Sequence, residues 1–404
     1  MERARPEIEL EELLAESPEA AGRRAALRFA AGAGDRLVLY GAGTLGREAL
    51  AKFRRSGVEP AAFADDTPSK QGTEVDGLPI LPPREAAARF GARALFVVTI
   101  LNPALRFLEA RARLEAQTGA RVVSFLDAAW GYPGAFLPHY QFVLPQEVLA
   151  EADGIRRAFG AFEEEESRRQ FVAHLRFRLR LEHEALPPAS RAAYFPADVP
   201  LGLGPDSTFV DCGAFDGDTV RRFVEHQRGR FRRVYAFEPD EGNCRRLRDY
   251  VATLGPEAAA RVSVFNAGVG ARRERLGFRS TGDMSASFVA AGGGDGGGGG
   301  GGAEIEVLPL DEVVEDVGGG RLYLKFDVEG AEWEALEGAR RLLAHERPLL
   351  GVSVYHRPAD LWRLPLRMRE LHPDSDLYLR TEGEDGMDLI CYAVPRGGAA
   401  GGAS

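Results

Sequence analysis

TFVDCGAFDGDTVRRFVEHQRGRFRRVYAFEP, residues 208–239, decides how the rest of the chain is read. The apolar run Thr208, Phe209, Val210 ends in Asp211. A turn with Gly213 and Gly217 follows, then a helical stretch, then a second apolar run that closes on Glu238 and Pro239. A strand, a glycine turn, a helix and a strand tipped with an acid about 20 residues on is the sequence form of a βαβ nucleotide site. Glycine lets the backbone come close to a ligand there, and the acid can accept hydrogen bonds from both ribose hydroxyls.

The charge of the loop narrows the ligand. Asp211, Asp216 and Asp218 crowd the place where a dinucleotide would set its pyrophosphate, and like charges repel there. S-adenosylmethionine carries a sulfonium and an ammonium, which an acidic loop suits. The plainer reading is a Gly–Asp turn between two core strands with no ligand.

Further along, the strand and helix alternation continues. A helix is expected near Glu241 to Leu254, a strand ends at Asn266, and RLYLKFD is a strand ending at Asp327. VEGAEWEALEGARRLLAHE reads as a turn and one amphipathic helix, PLLGVSVYH as a strand ending at His356, and DLYLRTEGEDGMDLICYAVP as a closing hairpin. Ligands of an open parallel sheet sit beyond the carboxyl ends of its strands. Asp211, Glu238, Asn266, Asp327 and His356 all fall at such ends, and that convergence marks a site.

VDCGAFDGDT, YAFEP, LKFDVEGAE and SVYHRPADLWRLP, in this order, resemble the FkbM family of S-adenosylmethionine-dependent methyltransferases over about the second half of the chain. Members commonly have Ile where Phe326 stands. The resemblance implies a class I methyltransferase-type sheet of seven mostly parallel strands, S-adenosyl-L-methionine as cofactor, and methylation of a hydroxyl on a sugar, glycan or polyketide-like metabolite. Asp211 and Gly213 would then stand at the methionine and ribose end, with Ala214, Phe215, Gly217 and Thr219 also binding the cofactor. Glu238 and Pro239 would meet the ribose hydroxyls, with Asn266 and Ala267 beside the adenine by fold analogy. Asp327 would stand near the sulfonium or the acceptor. His356, whose imidazole titrates near neutrality, is the general-base candidate, with Glu329 and Glu332 as alternatives. Glu332 equally suits a cap for the helix after Gly330. Asp327, Glu329 and Glu332 together could hold a divalent metal, but no His pairs with them at ligand spacing in the sequence, so no metal is assigned. Ser285 and Ser287 fall where members carry small hydroxyl residues near the site.

The first half carries a second glycine loop. The strand Arg36 to Tyr40 runs into GAGTLG (Gly41, Gly43, Gly46), an Ala-rich helix follows, and a strand from Val58 stops at Asp65 and Asp66. This is the context that gives a G-x-G-x-x-G pattern meaning, and the loop has no acid to repel a phosphate at its helix N-terminus. It resembles the small nucleotide-binding-like domain ahead of some sugar-modifying enzymes. The alternative function is therefore NAD or nucleotide-sugar binding at Gly41, Gly43, Gly46 and Asp65; otherwise these glycines only pack helix on strand. VDGLPIL reads as loop, and Ala94 to Ile100 as a third parallel strand.

Length and composition set the frame. The 404 residues exceed one ordinary core, and 45% hydrophobic with 28% charged residues is a soluble globular composition. A net charge of −10 argues against nucleic acid as the main partner. Cys212, Cys244 and Cys391 lie too far apart in sequence for a metal or disulfide motif and read as thiols of a reducing cytoplasm. No apolar run approaches the ~18 residues of a membrane span, and the acidic N-terminus lacks a signal pattern.

The expected organisation is two Rossmann-like α/β domains: a helical arm at 1–33, a nucleotide-binding-like domain at 34–130, a helical connector at 131–200 and a methyltransferase domain at 201–396, then a disordered tail at 397–404. The arm is either solvated or a packing helix. Gln146 to Ala185 reads as helix, and Tyr194 and Phe195 as either an aromatic lid or simple packing. Ten glycines in the eleven residues 292–302 bury too little to offset ordering and are expected to form a flexible loop.

Overall fold

The structure is a computed structural model, and it describes residues 5–29, 36–100, 106–279, 287–289 and 303–397. Ser285, the glycine run 292–302 and the tail beyond residue 397 lie outside the described residues, and Ser287 enters only as backbone. The chain forms two compact units. One comprises Met1–Ile155, Arg169–Ala189 and Gly383–Met387; the other comprises Arg156–Arg168, Ser190–Glu382 and Asp388–Ser404. Residues 131–200 are thus divided between the two units.

In the first unit, six strands form one sheet: β1 (Arg36–Tyr40), β2 (Ala62–Ala64), β3 (Glu74–Val75), β4 (Leu78–Leu81), β5 (Ala94–Val98) and β6 (Arg121–Ser124), in the order β3-β4-β2-β1-β5-β6. All pairs are parallel except β3 with β4. Apolar side chains of β1 and β5 alternate between two cores, Leu37, Leu39, Leu95 and Val97 on one face and Val38, Tyr40, Phe96 and Val98 on the other. That two-sided burial is what near-continuous apolar runs in a parallel sheet produce. The stretch VDGLPIL, expected as loop, is a hairpin. Val75 pairs with Leu78, and Asp76 and Gly77 both take positive φ, 51° and 81°. A two-residue Asp-Gly connection is the favoured hairpin turn, and it sets Leu78–Leu81 beside β2.

Of the two roles open to the first helices, the structure has packing. Pro6–Leu14 and Pro18–Arg28 each begin on proline, and Ser17 caps the second by accepting from Ala20 N–H at 3.2 Å. Ala21 and Ala25 are fully buried where that helix meets Phe125–Gly131 and Pro145–Leu149. The expected helix over Gln146 to Ala185 is broken into Pro145–Leu149, Ala152–Gly160, Glu165–Arg180 and a 3-10 turn at His183–Ala185.

The second unit holds a seven-stranded sheet: β7 (Thr208–Cys212), β8 (Arg233–Phe237), β9 (Val262–Phe265), β14 (Leu322–Phe326), β15 (Leu349–Ser353), β16 (Ser375–Thr381) and β17 (Leu389–Pro395). Their order is β16-β17-β15-β14-β7-β8-β9. Six strands run in one direction, and β17 runs antiparallel to them between β15 and β16. This is the mostly parallel, methyltransferase-type sheet expected from the sequence. Between β9 and β14 the strands β10 (Gly268–Val269), β11 (Glu274–Arg279), β12 (Ser287–Val289) and β13 (Ala303–Leu308) form a separate small sheet.

The strand order reverses between β7 and β14, and in an open parallel sheet the carboxyl ends of the strands at such a reversal are where a ligand crevice is expected. One further expectation is corrected there. The helix after Gly330 is two short helices, Glu332–Glu337 and Arg340–Glu346. They break at Gly338, where an added Cβ would lie 2.0 Å from the Gly270 carbonyl oxygen; the backbone of this unit passes too close for a straight helix with a larger residue. Among the described residues no helix is long and apolar enough to cross a membrane.

Candidate active site

The loop after β7 is shaped by close backbone contact with the loop after β14. Gly213 has φ of +84°, and an added Cβ would lie 1.9 Å from the Asp327 carbonyl oxygen. Only glycine meets both demands. Phe215 is also left-handed, at +47°, and its N–H points to Glu238 Oε2 at 2.9 Å. Glu238 Oε1 accepts from Asp240 N–H at 2.8 Å. Oε1 also accepts from Asn243 Nδ2 at 3.5 Å, so Oε2 is the oxygen that retains a lone pair for a further donor. Burial pushes the Glu238 carboxyl up to about 7 against the pull of these amide contacts. Asn266 is exposed and donates to the carbonyls of Glu238 and Pro239, both at 2.9 Å, tying the ends of β8 and β9 together.

Asp211 is placed differently from the expectation. It is fully buried beneath the loop and ion-paired to Lys325 Nζ at 2.8 Å, so it supports the loop and does not line an open pocket. The pair arises from register: β7 and β14 are adjacent and parallel, and Asp211 stands directly opposite Lys325. Lys325 also donates to the Gly213 carbonyl at 2.6 Å and lies 4.0 Å from Asp327 Oδ2. Burial pushes the Asp211 carboxyl up to about 6 even with the ammonium beside it, while the surrounding carboxylates, overcoming burial, hold Lys325 well above its usual value. Ala214 and Thr219 are likewise buried, whereas Gly213 and Phe215 keep partial exposure.

At the tip of β14 the acids gather round one imidazole. His356 Nδ1 is 2.8 Å from Glu332 Oε1; His356 Nε2 is 3.5 Å from Asp327 Oδ1 and 3.7 Å from Glu329 Oε2. Burial alone would lower the imidazole, but Glu332, Glu329 and Asp327 raise it to about 10. His356, expected as the general base, thus has both ring nitrogens turned toward carboxylates. Burial, helped by the neighbouring carboxylates Asp327 and Glu332, pushes Glu329 up to about 8. Asp327 goes the other way: burial would raise it, yet Lys325, His356 and a hydrogen bond from Ser353 Oγ at 2.9 Å hold it below the usual carboxylate range.

Glu332 is 1% exposed, and its Oε1 also accepts from Val328 N–H at 2.9 Å. It caps the turn and orients His356; it is not open to a substrate. Asp327 and Glu329 keep 27% and 29% side-chain exposure and are the carboxylates an acceptor can reach.

Tyr194 is buried, so packing is its role and not that of a mobile cover. Its hydroxyl lies 2.8 Å from Ser353 Oγ, and since that serine donates to Asp327, the tyrosine must donate to the serine. Phe195 packs on Phe209, Phe223 and His226. Lys325 and Ser353 thus join the site without having been read as members, and Tyr194, read as lid or packing, joins it through its hydroxyl. A lysine inside the apolar strand RLYLKF was the available signal for the first; for the serine none existed.

In the first unit, Gly46 packs the helix Thr44–Arg55 onto the loop, since an added Cβ would stand 1.9 Å from the Gly41 oxygen. Gly43 faces open space. Asp65 is occupied: it accepts from Ala42 N–H at 3.0 Å, Thr67 N–H at 2.9 Å and Lys70 Nζ at 2.9 Å. These contacts outweigh burial and hold its carboxyl down at about 2.

Residues 211–383 match the sequence family described as the methyltransferase FkbM domain. No curated protein matches the chain. Among solved structures, methyltransferase FkbM from Methylobacillus flagellatus KT is 23% identical, with a TM-score of 0.74 over 95% of this chain and 97% of that one. That likeness is one of fold. Precorrin-6y C5,15-methyltransferase from Geobacter metallireducens GS-15 is 16% identical over 48% of this chain and 83% of its own, with a TM-score of 0.27. UDP-D-quinovosamine 4-dehydrogenase from Vibrio fischeri is 24% identical over 22% of this chain and 76% of its own, with a TM-score of 0.19.

Proposed function

Starting from the methyltransferase FkbM domain matched by residues 211–383, we propose that the chain transfers a methyl group from S-adenosylmethionine to a hydroxyl of a small molecule of the sugar, glycan or polyketide-like class. The observation that carries this reading is Glu238: a carboxylate at the tip of β8, fixed by two backbone amides and the Asn243 side chain and with an Oε2 lone pair left for a ribose hydroxyl. The donor chemistry around it fits the cofactor. Asp211, Asp216, Asp218, Glu238 and Asp327 surround or support the crevice, an environment that favours a sulfonium and an ammonium over a pyrophosphate.

When bound, S-adenosylmethionine supplies an activated methyl group and its own leaving group, so the protein's work is alignment and proton removal. Gly213 and Phe215 shape the loop wall. Asn266 and Ala267 flank the far end of the crevice. Asp327, held ionised by Lys325 and Ser353 and still reachable from outside, takes the proton of the acceptor hydroxyl. His356 and Glu332 hold Asp327 and Glu329 in place from behind.

Calorimetry on the whole protein and on Glu238→Ala tests the reading, together with a search for S-adenosylhomocysteine formed from hydroxyl-bearing acceptors. Binding of S-adenosylmethionine that the variant loses supports it. Binding of NAD in its place, indifferent to Glu238, would transfer the function to Gly41–Gly46.

A further inference from the structure

His356 Nε2 is a buried nitrogen with no hydrogen-bond partner, on a side chain only 2% exposed. An imidazole left so in a protein interior is costly unless something meets it. What faces it is two carboxylate oxygens, Asp327 Oδ1 at 3.5 Å and Glu329 Oε2 at 3.7 Å. Both are too far for a good hydrogen bond and suitably spaced for a shared ligand. Donors in an octahedron of ~2.1 Å bonds stand ~3 Å apart when adjacent and ~4.2 Å when opposite. Donor atoms of Asp327, Glu332 and His356 all lie within 4.8 Å of one another.

The other ring nitrogen completes the pattern. His356 Nδ1 sits 2.8 Å from Glu332 Oε1, and Glu332 is anchored by Val328 N–H. A carboxylate on one imidazole nitrogen fixes the tautomer that offers the lone pair of the other, which is how metal-binding histidines are oriented. One imidazole with two carboxylates, leaving positions open, suits a six-coordinate divalent cation of the Mn²⁺ or Mg²⁺ type.

We propose that His356 Nε2, Asp327 and Glu329 bind one divalent cation at the mouth of the crevice, with Glu332 as the positioning residue behind His356. Resting on the methyltransferase reading, the cation takes the acceptor hydroxyl as a further ligand. It lowers the hydroxyl's pKa, and the proton passes to the Asp327 carboxylate oxygen that the cation leaves free.

The test is a Mn²⁺ titration of the full chain followed by electron paramagnetic resonance of the free ion. One bound Mn²⁺ per chain, displaced by excess Mg²⁺, is expected. Asp327→Asn and His356→Gln should each weaken it more than ~10-fold and Glu332→Gln by ~10–100-fold, with Glu334→Gln, an exposed neighbour, leaving it unchanged. Pulsed measurements on the unaltered protein read ligation directly: a nitrogen coupling from one imidazole is expected. Absence of bound Mn²⁺, absence of that coupling, or binding indifferent to both Asp327 and His356 overturns the proposal. S-adenosylmethionine affinity, measured in parallel without metal, separates failure of the cation site from failure of the methyltransferase reading.

Discussion

Lys325 on β14 and Asp211 on β7 are opposite one another in register and meet at 2.8 Å with 2% and 0% of their side chains exposed. This pair sits under the glycine loop and ties it through the Gly213 carbonyl. Removing one member of a buried pair leaves an uncompensated charge, which costs ~3–5 kcal/mol. Lys325→Met should therefore lower unfolding free energy in urea by about that amount. The double variant Lys325→Met with Asp211→Asn should recover part of it. Losses that simply add would show that the two residues do not stabilise one another.

Much of this arrangement is legible in the residues alone. The βαβ unit at 208–239 is visible because apolar runs, Gly213, Gly217 and Glu238 fall at spacings that only one local structure satisfies. The meeting of Asp327 with His356 follows from their positions just past the ends of β14 and β15. What the sequence conceals is set by register and by contacts between distant segments. Lys325 acquires its meaning because β14 lies beside β7, and Tyr194 reaches the site from a distant segment, through the Ser353 hydroxyl beside Asp327. That three carboxylates surround His356 is hidden in the sequence because they come from a turn that only the fold brings to it. The Asp76–Gly77 hairpin is the reverse case, a local signal in plain view that the surrounding prolines disguise.

Glu238 gives a pH dependence with a definite sign. Its carboxyl is raised from 4.5 to about 7 by burial, so the folded state binds its proton more tightly than the unfolded state. The stability it contributes is full below about 4.5 and is lost as pH rises through about 7, up to ~3 kcal/mol. Glu238→Gln should lack this decline, and the difference between variant and unaltered protein in urea should grow over that window. Ribose hydroxyls donate to the ionised form, so S-adenosylmethionine should bind more tightly at about pH 8 than at about pH 6. Flat affinity over that range would remove Glu238 from the ribose site.

Gly213→Ala should be far more damaging than Gly43→Ala. At Gly213 the φ of +84° is strained for alanine, ~1–3 kcal/mol by itself, and the new Cβ meets the Asp327 carbonyl at 1.9 Å. Separation of the β7 and β14 loops is the only relief, so a loss of at least ~3 kcal/mol is expected. At Gly43 φ is −94° and nothing lies within 4 Å of an added Cβ, so a cost within ~1 kcal/mol is expected. Differential scanning calorimetry of the two variants decides the matter, and equal shifts in Tm would contradict the close approach at Asp327.

Asp327→Asn isolates proton removal from cofactor binding. The carboxylate is held below its usual range by Lys325, His356 and Ser353 despite burial, and 27% of it remains exposed. Asparagine keeps the shape and the hydrogen bond from Ser353 Oγ but accepts no proton. Loss of a positioned base costs ~10²–10⁴-fold in rate, so kcat for methyl transfer should fall by at least ~10²-fold, with S-adenosylmethionine affinity shifting by less than ~3-fold. Because Asp327 faces the crevice while Glu332 lies behind His356, Glu332→Gln should act more gently on kcat. A Glu332→Gln defect as large as that of Asp327→Asn would place the reacting proton on the His356 side of the cluster.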